Sequence, residues 1–552
     1  MTTRKHLGRS RALRPSAECL EGRQLLSATV SGTNTAGDQW TLTLQGRGSL
    51  QVIKQNDSTG SPAALNSRTE IRSIIISGTD PATTRITDTV TRAAGSTGRV
   101  FFQNLIEQTN RSEKLASGLG IQSINIPDFY LGLTDPTSPT SAPQPRATIV
   151  IPDGINSLRF GGADTTAFFG TDPTQSLTQN RQNDQFLVRL GLPTSSGTSI
   201  VVNRITTSAQ AAAATTTGQP GSPTQDSVVF QVSGRINLFE ANAIDGNAQI
   251  APAPASFNAG TIVASLPDPA TGITGQIGFV RVGGNATNFS VLTNDRLANL
   301  YIGGETSNVS VLAPGGSRNL YFGKGVDTTT ILTHTIENLF ANRGMLNSRV
   351  VSDRQIGDLM LGGDVVNSTI LSGYNQNLNT VVTSIESNQQ QFGQYFQQAV
   401  TIQTPTAEAG GNITASVAGD VTNSVFAASD NPISAATATN AAGITFGNTQ
   451  DALLGLGRIK ARIEGVINNA VATPNMPTTA FYAQSVKLTH GPVVPPSVVE
   501  PPLAPPATPV SLPGIARVFP AANGARGTTS PTRTTSTNST PKSTSGPVQA
   551  TR

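Results

Sequence analysis

Cysteine is nearly absent from this chain. The single Cys19 lies in a basic N-terminal stretch, which excludes an intrachain disulfide framework and a cysteine-based metal site. Histidine occurs three times, as His6 near the start, His334 in an expected loop and His490 at the edge of a C-terminal tail, and none has a carboxylate pair beside it. No apolar run approaches the length of about 18 residues that a membrane-spanning helix needs. The motifs G-x-S-x-G, H-E-x-x-H, the P-loop and the nonapeptide calcium repeat are all missing.

Charge is scarce as well, at 13% of residues, and unevenly placed. Residues 1–28 hold six basic and two acidic side chains, and residues 491–552 hold five and one. Between them 26 basic residues face 30 acidic ones, so the net +4 belongs to the two ends. The body offers no basic face broad enough for nucleic acid.

What the chain does have is a repeated phrase. It begins at Ile277 (IGFVRVGGNATNFSVL), Leu297 (LANLYIGGETSNVSVL), Ser317 (SRNLYFGKGVDTTTIL), Ile336 (IENLFANRGMLNSRVV) and Ile356 (IGDLMLGGDVVNSTIL), at steps of 20, 20, 19 and 20 residues. Apolar residues fall at positions one, four and six, and the last two have strand spacing. A glycine pair follows, supplying backbone angles that other residues resist. Then come a polar stretch ending in Asn288, Asn308, Asn347 or Asn367, and a second short strand. Two amphipathic helices per repeat are excluded by the Gly, Asn, Thr and β-branched content. The leucine-rich phrase is absent. The pattern predicts an all-β fold, a parallel β-helix with turns stacked about 4.8 Å apart. The recurring Asn is expected to form an inward ladder over buried turn backbone.

Weaker copies of the first-strand phrase stand at Ile71, Ile121, Ile155 and Ile236, and the phrase returns at Asn412 and at 456–471. The expected organisation is a basic leader over 1–28, a β-hairpin cap over 29–69 with Trp40 closing the core, and a solenoid over 70–490. Insertions are expected near 163–230 and 372–411, the second holding a short helix over Val382–Val400. A disordered tail rich in Pro, Ser and Thr is expected over 491–552.

The leader has no apolar core of the length an ordinary secretory signal needs. Its segment Leu20-Glu21-Gly22-Arg23-Gln24-Leu25-Leu26-Ser27-Ala28 resembles the Leu-Glu-Pro-Arg-x-Leu-Leu-Ser motif near the start of many exported or surface proteins of planctomycete bacteria. Gly22 stands where that family has proline. The resemblance implies export or envelope attachment, an extracellular or cell-surface location, and no particular activity.

Acidic residues recur after the glycine corner as Asp164, Glu305, Asp364 and Asp420. A carboxylate row of this kind suits Ca²⁺ or a basic sugar substituent. Turn chemistry explains it more simply, because Asn285 and Gly325 stand at equivalent places. No catalytic, cofactor-binding or metal residue is therefore expected, and no cofactor. The leading functional expectation is a non-catalytic structural or adhesive surface protein, with cell-envelope polysaccharide or other surface proteins as partners. The alternatives are a β-helix enzyme acting on polysaccharide, a lyase or glycoside hydrolase, and a cytosolic polymer of the bactofilin kind.

Overall fold

The computed structural model describes residues 27–54, 70–108, 120–133, 147–168, 185–191, 197–207, 209–210, 224–225, 227–246, 260–267, 273–375, 406–407, 411–428, 457–468, 479–483, 485–491 and 493–494. The chain divides into two units, Met1–Val510 and Ser511–Arg552, and every described residue belongs to the first. The leader motif up to Leu26, the helix expected over Val382–Val400 and the tail beyond Val494 lie outside the described residues.

The fold is an all-β parallel β-helix. Thirty-three of its described strands join one sheet that winds around three faces, and two short strand pairs, Ala209–Gln210 with Thr224–Gln225 and Tyr374–Asn375 with Thr406–Ala407, stand outside it. Each turn supplies a long strand to face 1, a short strand to face 2 and a strand to face 3. In one turn these are Ile277–Val282 for face 1 and Ala286–Thr293, which bends from face 2 into face 3. The next turn repeats them as Leu297–Ile302 and Thr306–Ala313. The turns pair in parallel, with Val280 against Leu300, Ala286 against Thr306 and Val291 against Val311. Positions one, four and six of the repeat point into the core: Leu297, Leu300 and Ile302 are fully buried, as are their equivalents in neighbouring turns.

The weaker copies at Ile121, Ile155 and Ile236 belong to face 1, in register through Ile124–Leu158–Ile200–Phe239–Val280. The copy at Ile71 does not. Its strand, Ile71–Ser77, pairs with Val100–Gln108 on face 3. Face 1 begins instead at Arg85–Thr91, which pairs with Ile121–Leu133. The stretch expected as one excursion over 163–230 also contains coil. Gln185–Leu190, Thr198–Thr207 and Ser227–Ser233 are full members of the stack. They lack the glycine pair that marks the later copies.

At the N-terminal end Ala28–Thr33 and Gln39–Gln45 form an antiparallel hairpin, and the next strand, Ser49–Lys54, pairs with neither and passes to another face. Gln39–Gln45 closes face 1 antiparallel to Arg85–Thr91, and Ser49–Lys54 closes face 3 antiparallel to Ile71–Ser77. Trp40 is buried in the core edge-on to Phe129, with ring centroids 6.1 Å apart. The antiparallel arms and the indole cover the end of the apolar column.

The corner between faces 2 and 3 explains the recurring Asn, and corrects the inward ladder. Asn288, Asn308, Asn347, Asn367 and Asn423 all have φ between 48° and 53°, with Thr328 at 47° in the same place. They bend the chain through the left-handed region, where Asn is the best residue with a side chain. Their amides bond one another on the outside, Asn308 Nδ2 to Asn288 Oδ1 at 2.5 Å and Asn367 Nδ2 to Asn347 Oδ1 at 3.2 Å. The interior ladder is built by the next residue. Thr329 N donates to Ser348 Oγ, Ser348 N to Ser368 Oγ and Ser368 N to Ser424 Oγ, at 3.0, 3.2 and 3.1 Å. Each of these serine hydroxyls donates in turn to the carbonyl two residues back, at 2.7–2.9 Å. In earlier turns the strands end at or next to the same corner, at Leu133, Phe168, Thr207 and Gly246.

The glycine pairs also have a different reason from the expected one. Gly304 and Gly363 do not have positive φ. A Cβ on Gly363 would run into the Arg343 carbonyl of the turn below, and one on Gly304 into the backbone of Gly284 and Asn285. Close stacking of turns excludes a side chain there.

Candidate functional site

Two residues of the acidic row, Asp364 and Asp420, serve turn chemistry, as Asn285 does at the equivalent place. Asn285 Oδ1 accepts the backbone N–H of Glu305, Asp364 Oδ1 that of Asp420, and Asp420 Oδ1 that of Val466, at 2.9, 2.8 and 2.7 Å. Each side chain ties its corner to the next turn, and the two carboxylates direct their charge at backbone donors. Glu305 is half-exposed between Lys324 (3.1 Å) and Arg343 (3.4 Å). Asp164 stands apart on face 2, opposite Thr206. His334 lies in the strand Thr330–Ala341 where face 3 turns into face 1, with its Nδ1 3.5 Å from Asp353. His490 ends the strand Ser485–His490 and is exposed. Among the described residues no group of three or more His, Cys, Asp or Glu is placed to hold a metal ion, and no helix is long and apolar enough to cross a membrane.

The outer surface of face 1 carries two ladders. Asn299, Asn319 and Asn338 occupy the third repeat position and bond in series, Asn319 Nδ2 to Asn299 Oδ1 at 2.8 Å and Asn338 Nδ2 to Asn319 Oδ1 at 2.9 Å. Tyr301, Tyr321 and Phe340 occupy the fifth. The two tyrosine rings are parallel within 1° at 5.0 Å, and Phe340 is only 5% exposed. Amide against amide and ring against ring, these residues satisfy their own stack.

A different surface opens toward the N-terminal end. A groove of about 650 Å³ runs along the edge between faces 1 and 2. Arg159, Val201 and Glu240 enter it from the fifth repeat position of three consecutive turns. Asn203 and Asn242 stand at the corner that follows, and Asn242 Nδ2 donates to Asn203 Oδ1 at 2.7 Å. Asn203 Nδ2 in turn donates to Tyr130 Oη at 3.2 Å. The Tyr130 ring lies over Gly161, where any Cβ would strike it.

Arg92 and Arg99 reach the groove from the loop after Arg85–Thr91. That loop is pinned by the fully buried Asp38, which accepts from Ala93 N (2.8 Å), Ser96 Oγ (2.5 Å) and Asn34 Nδ2 (3.1 Å). Burial opposes the Asp38 charge, but these hydrogen bonds and the Arg92 charge outweigh it and hold the carboxyl below its usual range.

The groove is richer in unpaired cation than in acid. Glu240 is held by Arg281 at 2.8 Å. Beside the groove residue Asp128, burial raises Asp88 to about 6, against the Asp128 N–H donated to Asp88 Oδ2 at 3.1 Å and the Arg159 charge. Arg92, Arg99 and Arg159 form no ion pair with a described carboxylate. Arg99 lies over the Tyr130 ring instead, 4.9 Å from its centroid. Sequence reasoning missed this site because Arg159 is 60 residues from the loop that carries Arg92 and Arg99, and the three share no repeat position. The one available signal was the sign change along the fifth position, from Arg159 to Glu240 to Arg281. Comparison with known proteins gives no match: no family model, curated protein or solved structure is similar to the chain.

Proposed function

We propose that this protein is an exported, envelope-associated scaffold, structural or adhesive in role, built on a β-solenoid. One observation carries the reading. Along the regular turns, the side chains with chemical reach are engaged with one another or with turn backbone: the Asn299–Asn338 amides, the Tyr301–Tyr321 rings and the Asp364 and Asp420 carboxylates. Such a surface favours a durable rod over a reaction centre. The leader's resemblance to the export motif and the low charge support the same reading. Fractionation of native cells with surface protease treatment tests it, with mass spectrometry reading the mature N-terminus. A surface-exposed form starting near Thr29 is expected. An intact form confined to the cytosol would sink the proposal and favour the cytosolic polymer.

A second reading, a polysaccharide-active enzyme, draws on the raised Asp88 beside Asp128 and the Arg159 charge. It requires new reducing ends or unsaturated products when purified protein is incubated with acidic polysaccharides. Intact chains after prolonged incubation would remove it.

A further inference from the structure

We infer that the groove between faces 1 and 2 binds an acidic polysaccharide, seating its carboxylate or sulfate groups among Arg92, Arg99 and Arg159. Three guanidiniums converge on one recess without an ion-pair partner among the described residues, and a buried Asp38 holds the loop that brings two of them there. Against these three cations the lining sets two carboxylates, Asp128 and Glu240, and Glu240 is already held by Arg281, so the excess positive charge raises the local potential and favours an anion. Guanidinium geometry suits the planar carboxylate of a uronic acid and the oxygens of a sulfate ester.

Polymeric sugar is favoured over a small anion by the rest of the lining. Asn203 and Asn242 are exposed and supply amide donors and acceptors of the kind hydroxyl-rich chains require. The volume of about 650 Å³ falls within the roughly 300–1,000 Å³ of sites that enclose a small ligand or a short segment of a longer one. The charge is local, set in a body that is acidic overall. Extended nucleic acid, which needs neutralisation at many successive phosphates, has no such track here. The choice of a polymeric ligand rests on the surface reading; the groove's preference for anions does not.

The test is calorimetric titration of the full-length protein with polygalacturonate, dextran sulfate and neutral dextran, each at low and high salt. Binding to one or both acidic polymers, weakened by salt, with none to dextran is expected, and the two acidic arms tell carboxylate from sulfate recognition. Arg99→Gln and Arg159→Gln should each weaken that binding by tenfold or more. Arg318→Gln, at a site paired with Glu337 on the distant turns, should leave it unchanged. Circular dichroism confirms that all three variants are folded. Equal binding to dextran, no binding to any polymer, an unaltered affinity in the arginine variants, or tighter binding to a DNA duplex would each overturn the inference. Acid-polymer binding by a protein that fractionates with the cytosol would sink the surface reading and leave the groove assignment standing.

Discussion

Among the described turns from Asn288 to Asn423, Thr328 alone stands at the corner where the others have Asn. Its φ of 47° places a β-branched side chain in the left-handed region that Asn occupies in five equivalent turns. It also interrupts the ladder between Asn308 and Asn347. Thr328→Asn should therefore stabilise the protein by roughly 1 kcal/mol, through relief of strain and the restored amide bonds. A lower melting temperature in that variant would show that the corner is not strained. A second residue, Glu107, gives the fold a pH dependence. Burial raises its carboxyl to about 7, despite hydrogen bonds from Thr79 Oγ1 (2.6 Å) and Asp153 N (3.2 Å), and the Asp153 charge pushes it further up. The native state thus holds a proton that the unfolded chain releases near its ordinary value of 4.5. Stability is fully present below that value and falls as pH rises toward 7, by up to about 3 kcal/mol from this group. Denaturation across pH 4 to 8 should show the decline, and Glu107→Gln should flatten it. An unchanged slope in the variant would assign the pH dependence to other groups, such as Asp88.

Face 3 shows both how much of the fold was legible and where the reading stopped. The inward positions were plain in the sequence, because Val291, Val311, Ile331, Val350 and Ile370 recur at fixed spacing and all lie in the core. Each is followed by another apolar residue: Leu292, Leu312, Leu332, Val351 and Leu371. Consecutive apolar residues in a strand mean burial on both sides of the sheet, and this second row is indeed 0–2% exposed. The period was enough to find the coil; the doubled apolar position was the cue to a covered outer face. The recurring Asn was visible for the same reason, but its direction was not, since left-handed backbone and an inward side chain leave the same trace in a sequence. The groove lay beyond reach because its residues meet only once the turns are stacked. Leu312→Asp should destabilise the protein by several kcal/mol, as Val311→Asp on the inward side should, because each buries a charge without a partner. Chemical denaturation of the two variants decides the matter. A shift within about 0.5 kcal/mol for Leu312→Asp would mean that the outer face stands open in solution.

Along the stack each turn pairs only with the turns before and after it, so stability should be a sum of local terms and nearest-neighbour contacts, with no single all-or-none transition. The two described ends differ. The first turns are closed by antiparallel arms on faces 1 and 3 and by buried Trp40, while the last face 1 strand, Ser485–His490, leaves Val486 40% exposed. Fraying should start from the latter end. Trp40 is the only tryptophan, and its ring contact with Phe129 makes its fluorescence a reporter of the first turns alone. Far-UV circular dichroism reports all of them. Ile463, 2% exposed in the strand Arg458–Ile463, offers a place to weaken the far end. Under urea, Ile463→Asp should shift part of the circular dichroism amplitude to lower denaturant and leave the Trp40 fluorescence midpoint where it was. A coincident shift of both signals would show that the turns unfold as one cooperative unit, and that a change at one end is felt at the other.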